Sequence, residues 1–297
     1  MLTIPEFIPL QSIKHLSNNK VLVDLLRIDQ FHPIVSGNKW FKLRFYLEEA
    51  IYQQKNTIAS FGGAYSNHIV ALAYTCQQYG LASIGIIRGE QPAKLSHTLQ
   101  AAIQFGMQLI FVSRTSYNDK EGLKKEYGEE SWYWINEGGY GVSGAAGAST
   151  ILDTADTTSY TDIVCSVGTG TMMAGLIKKI NTHQKVIGIS ALKNNFSITQ
   201  EVKALLTTEE STRNFEIIHA YHFGGYAKHP PELLQFMHNF WEQERIPTDI
   251  VYTGKLMFAI TDLLQNNHFA NGSKILAIHS GGLQGNLSLS NGLLNFK

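Results

Sequence analysis

The chain has 297 residues, 44% of them hydrophobic and 11% aromatic, which is enough apolar volume for one large domain or two ordinary ones in a water-soluble globular protein. Its 24 Lys and Arg balance its 24 Asp and Glu, and no block of like charge stands out, so neither nucleic acid nor an anionic membrane surface is an expected partner. Residues 1–16, MLTIPEFIPLQSIKHL, lack a basic start, an apolar core and a small-residue cleavage site, and no later run approaches ~18 apolar residues, so the default location is the cytoplasm.

VLVDLL (21–26) reads as a strand, and Phe31-His32-Pro33 breaks the pattern after it. Ser36-Gly37-Asn38-Lys39 then leads into a run, Trp40 to Gln54, whose apolar and charged residues fall on opposed helical faces. Lys39 therefore sits at a helix N-terminus, where unpaired N–H groups favour anions and make an ammonium harder to keep protonated. A neutral lysine there is a potential nucleophile.

A rhythm of short β-branched runs and longer amphipathic ones follows: TIASFGG (57–63), NHIVALAYTCQQYG (67–80), ASIGII (82–87), LSHTLQAAIQFG (95–106), QLIFVS (108–113) and WYWIN (132–136). This βαβ alternation predicts a parallel sheet. Gly62-Gly63 and Ser66-Asn67 occupy a strand-to-helix junction, where the glycines allow the turn and Ser66 or Asn67 can cap the helix. Open α/β sheets bind ligands at such carboxyl ends. The stretch Asn136 to Gly147, rich in glycine and poor in core residues, reads as an open connection and the best place for a domain crossing.

The alternation restarts with DIVCSV (162–167), MMAGLIKKI (172–180), KVIGISAL (185–192), ITQEVKALL (198–206), FEIIHAYHF (215–223), PPELLQFMHNFWEQE (230–244), DIVYTGKLMFAITDLLQ (249–265) and SKILAIHSGG (273–282). A second α/β sheet is expected rather than one of excessive width. Cys76 and Cys165 stand far apart in apolar surroundings, without metal-ligand or redox spacing, and read as buried free thiols.

Val167-Gly168-Thr169-Gly170-Thr171 lies where a strand ends and a helix begins, so its N–H groups and two hydroxyls can converge on a phosphate. It lacks the Lys-Ser/Thr pair of a P-loop and the glycine spacing of a dinucleotide site, and taken alone is either a phosphate cradle or a tight turn. A lysine nucleophile with a single-phosphate site, and with neither metal cluster nor nucleotide motif, is what a pyridoxal phosphate enzyme needs.

The set Gly37-Asn38-Lys39 with Lys42-Leu43, Gly62-Gly63 with Ser66-Asn67, Glu137-Gly138-Gly139, Gly168 to Thr171, Val251 to Lys255 and His279-Ser280-Gly281-Gly282 covers nearly the whole chain. It resembles the D-cysteine desulfhydrase and 1-aminocyclopropane-1-carboxylate deaminase family, pyridoxal phosphate enzymes of fold type II related to the tryptophan synthase β-subunit. The resemblance implies two open, twisted α/β domains of mainly parallel sheet with the cofactor cleft between them. Residues 1–45 and 150–297 would form a large cofactor-binding domain and 46–149 a small one inserted in it. It also implies a homodimer acting on a small amino acid, with no metal.

Carried over by position, Lys39 holds the cofactor covalently, Asn67 bonds its ring hydroxyl, Val167 and Gly168 to Thr171 hold its phosphate with Lys42 nearby, and Ser280 faces the ring nitrogen. Ser66, Tyr226 and Tyr252 match the substrate-side hydroxyls; read without the family, Ser66 is equally a helix cap and the tyrosines packing residues. His68 and His279 are either general bases or partners of turn backbone. Two positions depart from the family: Phe41 replaces a frequent arginine, and Arg27-Ile28-Asp29 replaces Arg-Asp-Asp, so a surface ion pair is expected to be missing.

Deaminases of the family tend to carry glutamate at the position of Thr253 and leucine at that of Ser280, and desulfhydrases carry hydroxyls at both. The resemblance therefore implies α,β-elimination of D-cysteine to pyruvate, hydrogen sulfide and ammonia. Deamination of aminocyclopropane carboxylate to 2-oxobutanoate stands second, and a non-catalytic pyridoxal phosphate carrier or a phosphate-binding regulator are the readings from other classes.

Overall fold

The computed structural model describes residues 8–18 and 20–296; residues 1–7, which the large-domain assignment includes, lie outside them. In chain order the strands and helices are β1 (Leu10–Ser12), β2 (Leu22–Leu26), α1 (Asn38–Tyr52), β3 (Thr57–Gly62), α2 (Asn67–Tyr79), β4 (Ala82–Arg88), α3 (His97–Gln104), β5 (Gln108–Val112), α4 (Lys120–Tyr127) and β6 (Trp132–Ile135). Then follow α5 (Val142–Ser149), β7 (Asp162–Val167), α6 (Thr171–Lys179), β8 (Lys185–Ser190), α7 (Ile198–Lys203), β9 (Phe215–Ile218), α8 (Pro231–Glu244), α9 (Thr253–Gln265) and β10 (Lys274–Ile278).

Among the described residues these strands make two sheets, a six-stranded one in the order β1-β2-β10-β7-β8-β9 and a four-stranded one in the order β5-β4-β3-β6. All neighbours run parallel except β1, which pairs antiparallel with β2 at the edge. Alternate side chains of each strand enter different cores. In β7, Ile163, Cys165 and Val167 join one apolar cluster while Val164 joins another, and in β10 Leu276 and Ile278 separate from Ile275 and Ala277 in the same way. The smaller sheet repeats this, with Ile58 on one face and Ala59 and Phe61 on the other. Both faces are therefore covered, as the near-continuous apolar runs require of parallel strands.

The structure corrects two readings of the sequence. Asn136 to Gly147 is not an open connection: after a 3-10 turn at Glu137–Gly139, α5 begins at Val142 and buries Gly144, Ala145, Gly147 and Ala148. Its small residues let backbones meet, since an ideal Cβ on Gly147 would lie 1.9 Å from the Phe41 carbonyl oxygen of α1, and one on Gly175 of α6 would lie 2.6 Å from the carbonyl oxygen of Ala145. The run at 215–223 yields only β9, and the chain beyond Ile218 turns into a loop that passes through Phe223 at φ +52° and Gly224 at φ +93°. A helix also forms over the charged run 120–127, with the Asp119 side chain accepting from the Gly122 N–H as a cap. At the variant site, Phe41 is buried against Phe31 with ring centroids 5.9 Å apart. The ion pair expected to be missing has no charged residue at either departed position, since Phe41 and Ile28 share one apolar cluster, while the retained Arg27 bonds both Asp29 oxygens at 2.9 and 2.7 Å.

Candidate active site

The carboxyl ends of β3, β7 and β10 open toward one another, and α1 starts between them. The turn at Gly37, with φ +64°, presses onto the loop after β10: a Cβ on Gly37 would lie 1.9 Å from the Ser280 carbonyl oxygen, which also accepts from the Asn38 N–H at 3.3 Å. Only glycine fits there, in conformation and in space. That contact sets Lys39, on the first turn of α1, beside Ser280. The hydroxyl of Ser280, in turn, meets that of Ser166 at 3.3 Å. From the start of α2, which follows the smaller sheet's β3, the Asn67 amide reaches the Gly282 carbonyl at 3.5 Å.

The Gly168–Thr171 loop closes the same space. Gly170 takes a left-handed φ of +77° immediately before α6, and the Thr169 and Thr171 hydroxyls lie 3.0 Å apart. A Cβ on Gly168 would sit 3.1 Å from the Tyr252 hydroxyl oxygen, and the Tyr252 and Tyr226 rings meet edge to face at 6.5 Å. Val167 differs from the rest of the predicted set: its side chain is buried in the core, so only its backbone can serve a ligand. Ser66 occupies the cap position of α2 without a side-chain cap bond, which leaves its hydroxyl free of the helix role.

Two lysines enter this space with no carboxylate to pair them. The Lys39 ammonium donates to the Asn38 side-chain oxygen at 2.6 Å and Lys42 to the Gly138 carbonyl at 3.3 Å, and neither joins an ion pair among the described residues. Burial lowers Lys39 from 10.5 to about 8, with Asp249 opposing the shift. Lys42 falls to about 7, through burial first and then repulsion from Lys39. Two adjacent cations, Lys42 buried and Lys39 partly so, with no counter-ion among the described residues call for an anion, and the nearby N–H and hydroxyl cradle suits a phosphate. The residues present therefore fit pyridoxal phosphate: an amine for its aldehyde, and a cationic cradle for its phosphate.

His68 is buried, with Nε2 2.9 Å from the Ser60 hydroxyl. Burial, then Lys42 and Lys39, lower it to about 3, so it is neutral and cannot serve as a general acid at ordinary pH. His279 is held at one end, Nε2 2.8 Å from the Pro247 carbonyl, while Nδ1 lies 3.4 Å from Asp29 without a hydrogen bond. Burial raises both tyrosine hydroxyls of the pair, with Tyr226 and Asp249 next in importance for Tyr252 and Asp249 next for Tyr226. Both are therefore phenols rather than phenolates. Cys76 and Cys165 are buried free thiols, each pushed up to about 12 by burial.

Sequence reasoning passed over Asp249. It is fully buried, and its carboxylate accepts from the N–H groups of Val251, Tyr252 and Thr253 and from the Thr253 hydroxyl at 2.7 to 3.0 Å. It thereby fixes the turn carrying Tyr252. The signal was available as an aspartate four residues ahead of a threonine at a helix start. Thr253 is correspondingly turned into this network, away from the cleft.

A family model described as pyridoxal-phosphate dependent enzyme matches residues 6–281. A Thermotoga maritima protein provisionally named 1-aminocyclopropane-1-carboxylate deaminase is 30% identical over 93% of this chain and 94% of its own length. The Arabidopsis thaliana protein named bifunctional D-cysteine desulfhydrase/1-aminocyclopropane-1-carboxylate deaminase, mitochondrial, is 29% identical over 84% of this chain and 70% of its own. Among solved structures, an ACC deaminase homologue superposes with a TM-score of 0.80 at 26% identity, covering 96% of this chain and 92% of that one.

Proposed function

Since the chain belongs to the pyridoxal-phosphate dependent enzymes, we propose that it is a lyase which eliminates the β-substituent of a small amino acid, with D-cysteine as the substrate giving pyruvate, hydrogen sulfide and ammonia. The observation that carries this is Lys39, an amine lowered to about 8 beside a buried lysine and a phosphate cradle. When bound, pyridoxal phosphate supplies a sink for the electrons left on the α-carbon. Lys39 would hold its aldehyde end, Asn67 its ring hydroxyl, Ser280 its ring nitrogen, and the Val167–Thr171 backbone and threonine hydroxyls its phosphate, with Lys42 as the nearby charge.

With a value near 8, about a tenth of Lys39 is neutral at pH 7, so its Nζ can take the α-proton of the substrate without a large penalty. The Cβ–S bond then breaks with both electrons on sulfur, which leaves as HS⁻. One water is consumed, and the carbon and nitrogen leave as pyruvate and ammonia. Ser66, Tyr226 and Tyr252 carry hydroxyls that stay protonated and can donate to the substrate carboxylate. The preference for elimination over ring opening is supported by the Ser166–Ser280 hydroxyl pair and by Asp249, whose carboxylate is taken up by the 251–253 turn. Neither places a free carboxylate beside the ring nitrogen, and a thiolate leaving group demands less of the sink.

The test is product release from a panel of D-cysteine, L-cysteine, D-serine and aminocyclopropane carboxylate. D-cysteine is expected to give sulfide and pyruvate in equal amounts, and Lys39→Ala to lose both turnover and the visible absorbance of lysine-bound cofactor. Release of 2-oxobutanoate from aminocyclopropane carboxylate, without pyruvate from D-cysteine, would reverse the substrate assignment. A Lys39→Ala variant that kept the visible band would remove the chemical one.

A further inference from the structure

Lys255 lies in the first turn of α9 and is 1% exposed, among the largest fully buried side chains described. No carboxylate pairs with it among the described residues. Its ammonium donates instead to three carbonyls, Gly225 at 2.7 Å, His222 at 2.9 Å and Ala191 at 3.4 Å. Three donors on three acceptors leave the group satisfied, yet a buried ammonium is an expensive way to make an apolar helix face, and a methionine would fill the volume.

Its acceptors explain what the charge achieves. Ala191 follows β8 directly, and His222 and Gly225 belong to the loop after β9, a segment outside any helix or strand that runs through left-handed positions at Phe223, Gly224, Gly225 and Ala227. Such a loop has few ways to hold itself. Its other anchors include the Phe223 ring, edge to face with Phe258 at 4.8 Å, the packing of Phe223 and Ala227 on a small apolar cluster, the hydrogen bonds of His222 with the Gly224 and Gly225 N–H groups, and the Lys228 N–H on the Gly225 carbonyl at 3.2 Å. Tyr226 follows directly on Gly225, and its ring meets Tyr252, whose hydroxyl lies over Gly168. Lys255 and Tyr252 stand three residues apart on one turn.

We propose that Lys255 is the positioning residue of Tyr226, an internal cross-link that holds the 222–225 carbonyls and so sets the tyrosine against Tyr252 at the mouth of the phosphate loop. Its effect falls on substrate handling and not on cofactor retention. This rests on the reading of Tyr226 as a substrate-side hydroxyl, and the two are separable by experiment.

The holoenzyme, Lys255→Met, Tyr226→Phe and the double variant are compared by hydrogen exchange and by turnover. In Lys255→Met the amides of 222–228 are expected to exchange at least tenfold faster, with the rest of α9 and the cofactor absorbance unchanged. Its kcat/KM falls, and the double variant falls no further than the worse single one, the non-additivity of two residues acting through one group. Unchanged exchange across 222–228, or losses that multiply, would overturn the assignment. Should Lys255→Met not fold, Lys255→Gln, which keeps two donors, is measured the same way and is expected to show a smaller acceleration confined to the same segment. If no amino acid is turned over, the proposed function fails, while the exchange measurement still decides whether Lys255 holds the loop.

Discussion

Lys42 offers the sharpest quantitative test, because its ammonium is buried, repelled by Lys39 and bonded to one carbonyl. A fall from 10.5 to about 7 means that keeping the charge there without an anion is unfavourable by on the order of 5 kcal/mol, at about 1.4 kcal/mol for each factor of ten. A phosphate beside it offsets that, so binding draws a proton onto Lys42. The phosphate itself is already mostly dianionic above pH ~6. Affinity for a phosphate ligand must therefore fall as pH rises above 7. Calorimetric titration of the apoprotein with pyridoxine 5′-phosphate, which has no aldehyde for Lys39, measures this directly. Between pH 7 and pH 8 the protonated share of Lys42 drops from about a half to about a tenth and that of Lys39 from about nine tenths to about a half, so affinity should fall roughly tenfold. In Lys42→Met the fall should shrink to about twofold, the part that belongs to Lys39. A flat profile in the wild type, or an undiminished slope in Lys42→Met, would refute the reasoning. The stability of the apoprotein runs the other way. Both lysines have folded values below their unfolded ones, so the unfolded chain binds more protons and stability rises with pH from about 7 toward 10.5.

Three further outcomes follow from single contacts. His68, lowered to about 3 by burial and the two lysines, should show ring-proton NMR shifts that stay flat from pH 5 to 9; an inflection near its ordinary value of 6.5 would contradict its neutral role. Gly147→Ala drives a methyl into the Phe41 carbonyl and should lower unfolding free energy in denaturant by about 3 kcal/mol or more, whereas a near-neutral result would mean that α5 does not pack on α1 as described. Thr253→Val removes the hydroxyl that both donates to the Asp249 carboxylate and accepts from its N–H, each at 2.7 Å. It should cost about 1–3 kcal/mol of stability with little change in cofactor affinity, and normal stability with altered substrate choice would put Thr253 in the chemistry instead.

The strands were legible because runs such as DIVCSV and KILAI are apolar throughout, the pattern of parallel strands covered on both faces. The Ser66–Asn67, Gly168–Thr171 and Ser280 turns were legible for a related reason: each follows a strand end where glycine and small polar residues interrupt such a run. Helix α5 was not. Its VSGAAGAS has no apolar stripe, and what drives it inside is the absence of side chains that would keep α1 and α6 away. The extent of β9 was overread because His219 to Phe223 continues a strand-like composition, whereas the chain turns from Ala220 on and then passes through Phe223 at a positive φ that its residue type disfavours.

Asp249 and Lys255 show the deeper reason for what stayed hidden. In sequence they are two charges at the edge of an amphipathic run, where the usual expectation is solvent. The structure buries both, and their partners come from elsewhere: backbone N–H groups for the aspartate, and carbonyls some thirty and sixty positions away for the lysine. A chain with equal numbers of acidic and basic residues thus keeps an uneven interior. Around the cleft stand Lys39, Lys42 and Lys255, against Asp249, whose oxygens are already engaged. The excess positive charge sits at the two lysines of α1, whose ammonium groups end on neutral oxygens. It is this local imbalance, invisible to composition, that favours an anionic group such as the cofactor's phosphate over neutral ligands of the same size.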